Sequence, residues 1–172
     1  MRLSRVRGPA DSDPPTTWRP LAAGERVLAR ARTEEGWHLL ATTRGVQHRG
    51  DGTGEAVPYQ AMIDVRWSSD TGRLDMLVAE AGSGPGRLVS VVLREPGGVP
   101  ATVRDRVQAS ILLTRRVEAG RRQGCTVAVR RAPDGEGPMI VQVTYDPGVD
   151  PEDPQLAAQV TEAVEAVSAQ VA

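Results

Sequence analysis

Short segments of alternating apolar and polar residues follow one another from Gly24 to Glu95 and dominate the pattern of the chain. In the first segment, alternate residues from Val27 to Ala31 are apolar and share one face, while the other face holds Leu28 and three arginines. A period of two residues is typical of a β-strand with one buried face. Turn-forming sequences separate the segments. The pattern therefore predicts an antiparallel sheet, with turns at Glu34-Glu35-Gly36, at Gly45, which would supply a positive φ, and at Asp70-Thr71-Gly72.

The last segment of this region, Arg87 to Arg94, differs from the others because apolar residues occupy both of its sides. A strand with two apolar faces is typical of a position that is covered on both sides. We therefore expect another element to pack over this strand.

A helix is predicted after the Pro96 to Pro100 stretch. Thr102 would cap it, and Asp105, three residues later, would complete a box-like cap. Apolar residues then recur every four positions, at Val103, Val107 and Ile111. Residues 111–118 fit either the end of this helix or a new strand, and the pattern leaves both open.

Two strands and a second helix are predicted in the last third of the chain. The strands, residues 126–131 and 139–145, flank a turn sequence at 133–137, which indicates a β-hairpin. Asp153 suits the N-cap of the helix and Pro154 suits its first position. The helix has one apolar stripe, formed by Leu156, Val160, Ala163, Val164, Val167 and Val171.

The composition limits the classes of fold and function. A chain of 172 residues, 40% of them hydrophobic, can bury one core without disulfides. All 21 basic residues are arginine, which either GC-rich codon usage or selection for phosphate-binding guanidinium groups would explain. The net charge of -1 argues against general nucleic-acid binding. The lone cysteine and the lack of a long apolar run lead us to expect a cytoplasmic protein without a membrane span.

The segment from Gly24 to about Val117 resembles bacterial pleckstrin-homology-like domains, including the GRAM-related ones. The resemblance is carried by GERVLA, LLATTRGVQHR, VPYQAMIDVRW, GRLDMLV and a helix after the last strand. It implies a strongly bent antiparallel sheet, one end of which is plugged by the helix from about Ala101. Such domains commonly bind phospholipids, peptides or other proteins, so the resemblance favours a binding role.

The expected fold class is therefore α+β. We expect a bent antiparallel β-sandwich or open barrel of the pleckstrin-homology-like kind with a capping helix, followed by a β-hairpin and a C-terminal helix. Residues 1–20 would form a disordered or loosely packed arm, and Trp18 is its one residue with enough apolar area to dock on the body. Residues 21–118 would form the pleckstrin-homology-like domain, and residues 119–172 would form the hairpin and helix, packed on the same body.

No pattern of a known catalytic site stands out. The glycine-rich stretch 82–86 lacks the lysine of a P-loop and fits a hairpin loop. His38 and His48, on neighbouring predicted strands, could share a metal in one register, but no third ligand is evident. Cys125 is expected to be a small buried residue, and the acidic run 146–153 fits helix capping better than calcium binding. We therefore predict a protein that is not an enzyme and has no metal or cofactor.

Charge is unevenly distributed over the second half of the chain. Residues 104–131 hold eight arginines and two acids, a net charge of +6, whereas residues 132–172 hold eight acids and no base, a net charge of -8. The two segments could fold side by side and partly neutralise each other. Alternatively, arginines could project together and bind an anionic partner, although neighbouring arginines on a strand point to opposite faces. The candidate residues are Arg115, Arg116, Arg121, Arg122, Arg130 and Arg131.

Several functional hypotheses follow from these observations. The first is a non-enzymatic module that acts by protein binding or as an accessory subunit. The second is peripheral binding of anionic lipid or a phosphate ligand through the arginine-rich segment. An enzyme with an unfamiliar site, lined by His38, His48 or Asp64, is a third hypothesis. Homodimerisation through an uncovered sheet edge is a further expectation.

Overall fold

The structure is a computed structural model that describes residues 21–48, 56–79, 86–120 and 123–171. Predictions for residues 1–20, the glycine-rich loop at 50–54, most of the stretch 82–86, and Arg121 and Arg122 lie outside these ranges. Within them, no helix is long and apolar enough to cross a membrane.

Two antiparallel sheets and two helices make up the described chain, which confirms the α+β class. The first sheet has the strand order β4-β3-β2-β1-β7-β6-β5, and the second has the order β10-β9-β8. The helices are α1 (Val99–Ala109) and α2 (Pro154–Val171). In chain order the strands are β1 (Val27–Thr33), β2 (His38–Thr42), β3 (Gly45–His48), β4 (Ala56–Pro58), β5 (Met62–Ser68), β6 (Arg73–Val78), β7 (Arg87–Glu95), β8 (Ile111–Glu118), β9 (Gly124–Arg130) and β10 (Ile140–Tyr145).

The first sheet bends around α1. This helix contacts β1, β2 and β5, although β5 forms one edge of the sheet and β2 is the third strand from the other edge. Only a curved sheet can bring these strands to the same helix. Residues such as Leu39, Met62 and Leu74 share one buried core with Val103 of α1. In the described residues no ladder joins β4 to β5, so the sheet does not close into a barrel.

The start of α1 differs from the prediction. The helix begins at Val99 rather than after Thr102, and its N-cap, Gly98, makes no side-chain capping bond. Pro100 lies in the first turn, where its fixed φ suits the helix and its missing N–H costs nothing. The predicted cap at Thr102 was therefore wrong, because a proline taken as a helix breaker instead stands at the helix start.

The strand β7 is not covered on both faces, contrary to the prediction. Val89 and Leu93 are buried in the core, whereas Leu88 is 56% exposed on the opposite face. Only the inner face of β7 has a second layer to pack against, because α1 lies inside the curve of the sheet.

The hairpin predicted after α1 is part of a three-stranded sheet, to which β8 adds the third strand. Residues 111–118, which the sequence left open between helix and strand, form β8 and pair with β9, where Val117 lies opposite Cys125. The strand β9 is the central strand and pairs with β8 on one side and β10 on the other. It is buried over most of its length. The hairpin β9–β10 around the predicted turn at 133–137 is confirmed.

The C-terminal helix is confirmed as predicted. It begins at Pro154, and the carboxylate of Asp153 accepts hydrogen bonds from the backbone N–H groups of Gln155 (2.8 Å) and Leu156 (3.0 Å). Its buried side chains, Leu156, Val160, Ala163 and Val167, pack against β8 and β9.

Gly72 and Gly45 occupy their positions in the first sheet for different structural reasons. Gly72 has a φ of 63° in the turn between β5 and β6, as the predicted hairpin requires. Gly45 has no positive φ, so that prediction was wrong. A Cβ at Gly45 would instead lie 2.4 Å from the carbonyl oxygen of Val57, which shows that close approach of β4 excludes a side chain.

Candidate functional site

Arg116, one of the predicted anion-binding residues, is engaged in an ion pair on the surface of the second sheet. Its Nη1 donates a 3.0 Å hydrogen bond to Oδ1 of Asp146, and its Nη2 contacts the other carboxylate oxygen. Hydrogen bonding to Arg116 holds the pKa of Asp146 below its ordinary value. The pairing follows the first interpretation of the charge pattern, in which basic and acidic segments neutralise each other.

Arg130 is buried, with 5% of its surface exposed. Its Nη1 donates a 3.1 Å hydrogen bond to Oγ of Ser110, at the end of α1, and its Nε has no hydrogen-bond partner in the described chain. Burial lowers the pKa of Arg130. The C-terminal end of α1 carries a partial negative charge, which partly compensates the guanidinium.

The described arginines of the predicted patch do not converge on one exposed surface. Arg115 and Arg116 are consecutive residues of β8 and lie opposite Val127 and Thr126, on different faces. Arg131 is half-buried and, like Arg130, has an Nε without a hydrogen-bond partner among the residues described.

The two histidines are out of register with each other. The residue paired with His48 is Leu39, whereas His38 lies opposite Arg32 on the other neighbouring strand. The pKa of His38 is lowered by burial and by the charges of Arg32 and Arg30. In the described ranges, no group of three or more His, Cys, Asp or Glu side chains could hold a metal ion.

Cys125 is buried, as predicted, at the start of β9. Burial raises the pKa of its thiol. A protonated, enclosed thiol is a poor nucleophile, so this residue acts as a small core side chain beneath α2.

A buried polar cluster, which the sequence did not reveal, joins the chain before β1 to the first sheet. The hydroxyl of Thr42 donates to Oε1 of Glu25 (2.7 Å), and Tyr59 Oη donates to the carbonyl oxygen of Thr42 (2.8 Å). Burial raises the pKa of Tyr59. Because Thr42 lies 17 residues from each partner, no local signal could have predicted the cluster.

Shallow cavities lie beside this cluster and beside α2. A cavity of about 200 Å³ is lined by Arg44, Gly45 and Gln47, among others, and Oε1 of Gln47 has no partner in the described chain. A cavity of about 340 Å³ near the start of α2 is lined by polar and acidic side chains, including Glu118 and Asp153. Neither cavity brings together a nucleophile and a base, so neither resembles a catalytic pocket.

The edges of the two sheets differ in how they are protected. Exposed edge strands tend to pair with other chains unless they are short or carry proline or charges. The edge strand β4 has three residues and ends at Pro58. On β5, Asp64 and Arg66 form an ion pair of 2.8 Å, and β8 carries Arg115, Arg116 and Glu118.

The fourth edge strand, β10, has none of these protective features. Its sequence, IVQVTY, contains no charge and no proline. In the described chain it pairs with β9 alone. Among the edge strands described, β10 is therefore the one best suited to accept an added strand.

The side of β10 that faces α2 is only partly covered. Val141, Val143 and Tyr145 lie opposite core residues of β9, so all three point to the α2 side of the sheet. The helix lies over β8 and β9, and Val141 remains 41% exposed. An unpaired backbone edge and an apolar strip therefore lie side by side.

Comparison with models of known protein families, with curated proteins and with solved structures gave no match for this chain.

Proposed function

We propose that this chain is a non-enzymatic protein-binding module, in which a pleckstrin-homology-like scaffold carries a second sheet that binds partners through the β10 edge. The observation that carries the proposal is the contrast between β10 and the other edge strands. An edge with no charge and no proline, beside a partly exposed apolar strip, is a recurring site of strand addition.

The scaffold half of the proposal is supported by the arrangement of α1. The resemblance implies a strongly bent antiparallel sheet with a helix after the last strand, and α1 follows β7 directly and packs inside the bend. Folds of one kind serve many functions, so this support concerns the scaffold alone, and the binding surface is inferred from the differences between the sheet edges.

Binding of anionic lipid or phosphate through the arginine-rich segment is the alternative proposal and has weaker support. Arg130 is buried, and Arg116 is paired with Asp146. Salt-sensitive binding to vesicles containing anionic lipid, lost on substitution of Arg121 and Arg122 by Glu, would support the alternative. A cytoplasmic location stays a prediction.

The proposed function is tested by comparing three versions of the full chain as bait in cell lysate. Val141→Lys places a charge on the β10 edge, and Leu88→Lys places the same charge on β7, at another exposed apolar residue. We expect proteins that wild type and Leu88→Lys retain but Val141→Lys does not. Equal retention by all three baits would contradict binding through β10.

A further inference from the structure

We infer that the second sheet holds a small free oxyanion, such as inorganic phosphate or sulfate, at a buried site formed by Arg130 and Gln142. Both side chains lie on the face of the sheet that points away from α2, whereas the apolar strip of β10 lies on the other face. The site is therefore separate from that strip, and its failure would leave the proposed function unchanged. Its basis is a set of buried hydrogen-bond donors without an acceptor in the described chain.

Arg130 and Gln142 are close neighbours on one face of the second sheet. Arg130 lies opposite Ile140 and Gln142 lies opposite Ala128, so the two residues are diagonal neighbours on β9 and β10. Diagonal neighbours lie roughly 7–8 Å apart, which long side chains can span. Arg130 is 5% exposed and Gln142 is 8% exposed. The two polar side chains therefore meet in an enclosed part of the fold.

The two side chains present N–H donors that no described residue accepts. Arg130 uses Nη1 for its hydrogen bond to Oγ of Ser110. Its Nε and the Nε2 of Gln142 are buried and have no acceptor in the described chain. The Nε–Nη2 edge of a guanidinium can bind an oxyanion through two parallel hydrogen bonds, and in the described residues this edge of Arg130 has no partner. The unpaired donors thus match the acceptor oxygens of an oxyanion.

Arg130 also lacks a counter-ion in the described chain. Arg44 and Arg116 are paired with Asp134 and Asp146, but burial alone shifts the pKa of Arg130, so no carboxylate lies near enough to oppose that shift. A guanidinium stays protonated in proteins, and a buried charge without a partner is strongly destabilising. The end of α1 compensates this charge only in part. Water would accept the hydrogen bonds without neutralising the charge, whereas an oxyanion would do both.

The enclosure of Arg130 favours a free anion over a phosphate group that is attached to a lipid or a protein. An attached group approaches from a surface and needs an exposed guanidinium, such as that of Arg115. A small inorganic anion can be enclosed when the chain folds around it. Phosphate and sulfate carry enough acceptor oxygens for every unpaired donor of the site.

The test is a titration of the full chain with sodium phosphate at constant ionic strength, after dialysis into buffer free of phosphate and sulfate. Isothermal titration calorimetry should show a single bound phosphate per chain. The Tm should rise with phosphate concentration, because a ligand that binds only the folded state stabilises it. At 100 times the Kd, we expect a rise of about 5–10 °C. Sodium sulfate should give the same response.

Variants of the chain assign the bound anion to the proposed site. Arg130→Met should abolish both the calorimetric signal and the rise in Tm. Arg115→Met is the matched control, because it removes the same charge from an exposed position of β8, and it should bind phosphate as wild type does. Gln142→Glu places a carboxylate beside the guanidinium, so it should raise the Tm in phosphate-free buffer and remove the response to phosphate. Circular dichroism checks that each variant keeps the fold.

Three outcomes would overturn the inference. The first is that wild type binds neither phosphate nor sulfate. The second is an equal rise in Tm for wild type and Arg130→Met, because general stabilisation by excluded salts acts on every variant. The third is binding to vesicles that contain phosphatidic acid, lost in Arg130→Met, which would assign Arg130 to a lipid headgroup instead of an enclosed free anion.

Discussion

Ser110 and Arg130 are joined by a buried hydrogen bond of 3.1 Å where α1 ends and the second sheet begins. The same residue, Ser110, accepts a backbone hydrogen bond from Arg131 (2.9 Å) and donates its hydroxyl to the carbonyl oxygen of Val107 (2.7 Å). The end of the helix and the end of β9 are thus joined through the hydroxyl and the backbone carbonyl of Ser110.

Removing this serine hydroxyl should destabilise the protein more than removing the charge that it contacts. Ser110→Ala leaves the buried guanidinium without its hydrogen-bond partner, and we expect a loss of about 2 kcal/mol in the free energy of unfolding. Arg130→Met removes the charge and keeps the apolar stem, so its effect should stay within about 1 kcal/mol. Urea unfolding of both variants measures the difference. A larger loss for Arg130→Met would contradict this account.

The buried hydroxyl of Tyr59 is expected to contribute to stability. Tyr59→Phe removes its 2.8 Å hydrogen bond to the carbonyl oxygen of Thr42 and should cost about 1 kcal/mol or more, since that oxygen is buried. Tyr145→Phe is the matched control, because the hydroxyl of Tyr145 has no hydrogen-bond partner among the residues described. Thermal unfolding should show a lower Tm for Tyr59→Phe and an unchanged Tm for Tyr145→Phe. Equal shifts in Tm for the two variants would contradict a stabilising role of the Tyr59 hydrogen bond.

The N-cap of α2 should contribute measurably to the stability of the fold. Asp153→Ala removes the acceptor of two backbone N–H groups and should lower the free energy of unfolding by about 1 kcal/mol. Its neighbour Glu152 is exposed and makes no cap, so Glu152→Ala should have little effect. If chemical denaturation gives the two variants the same stability, the capping role of Asp153 is wrong.

The ion pair between Arg116 and Asp146 predicts a dependence of stability on pH. Because the folded-state pKa of Asp146 lies below its ordinary value of 3.8, the pair stabilises the fold above that value and is lost as the pH falls through the lowered pKa. The stability difference between wild type and Asp146→Asn should therefore be constant near neutral pH and shrink below about pH 4.

The control for this measurement is Glu165→Gln, an exposed change on α2 whose carboxylate has no ion pair in the described chain. The stability difference between Glu165→Gln and wild type should not shrink below about pH 4 in the same way. Denaturation of the three proteins from pH 7 to pH 3 gives the comparison. A difference for Asp146→Asn that grows as the pH falls would contradict the sign of the effect.

Local patterns predicted much of the fold. The alternation along β1 and the stripe and cap of α2 depend on neighbours in sequence, so they could be predicted from the sequence alone. The start of α1 at Val99 could not be predicted in this way, because a proline suits both a break and a helix start. The strand β8 could not be predicted either, because it is selected by pairing with β9.

The candidate site was harder to predict than the fold. The arginines were adjacent in sequence, but only the tertiary structure shows that Arg130 is buried and that Arg116 faces Asp146, 30 residues away. The unprotected edge of β10 likewise depends on which strand ends the sheet. Its uncharged sequence, IVQVTY, was visible in the chain, but its position at an edge was not.

The most direct test of the binding edge is amide hydrogen exchange on the full chain, alone and bound to a protein that wild type retains but Val141→Lys does not. Binding through β10 should slow exchange of the amides of residues 140–145 in the complex and leave β5, the charged edge of the first sheet, unchanged. Protection confined to β5 or to the arginine-bearing β8, with β10 exchanging as in the free chain, would contradict it.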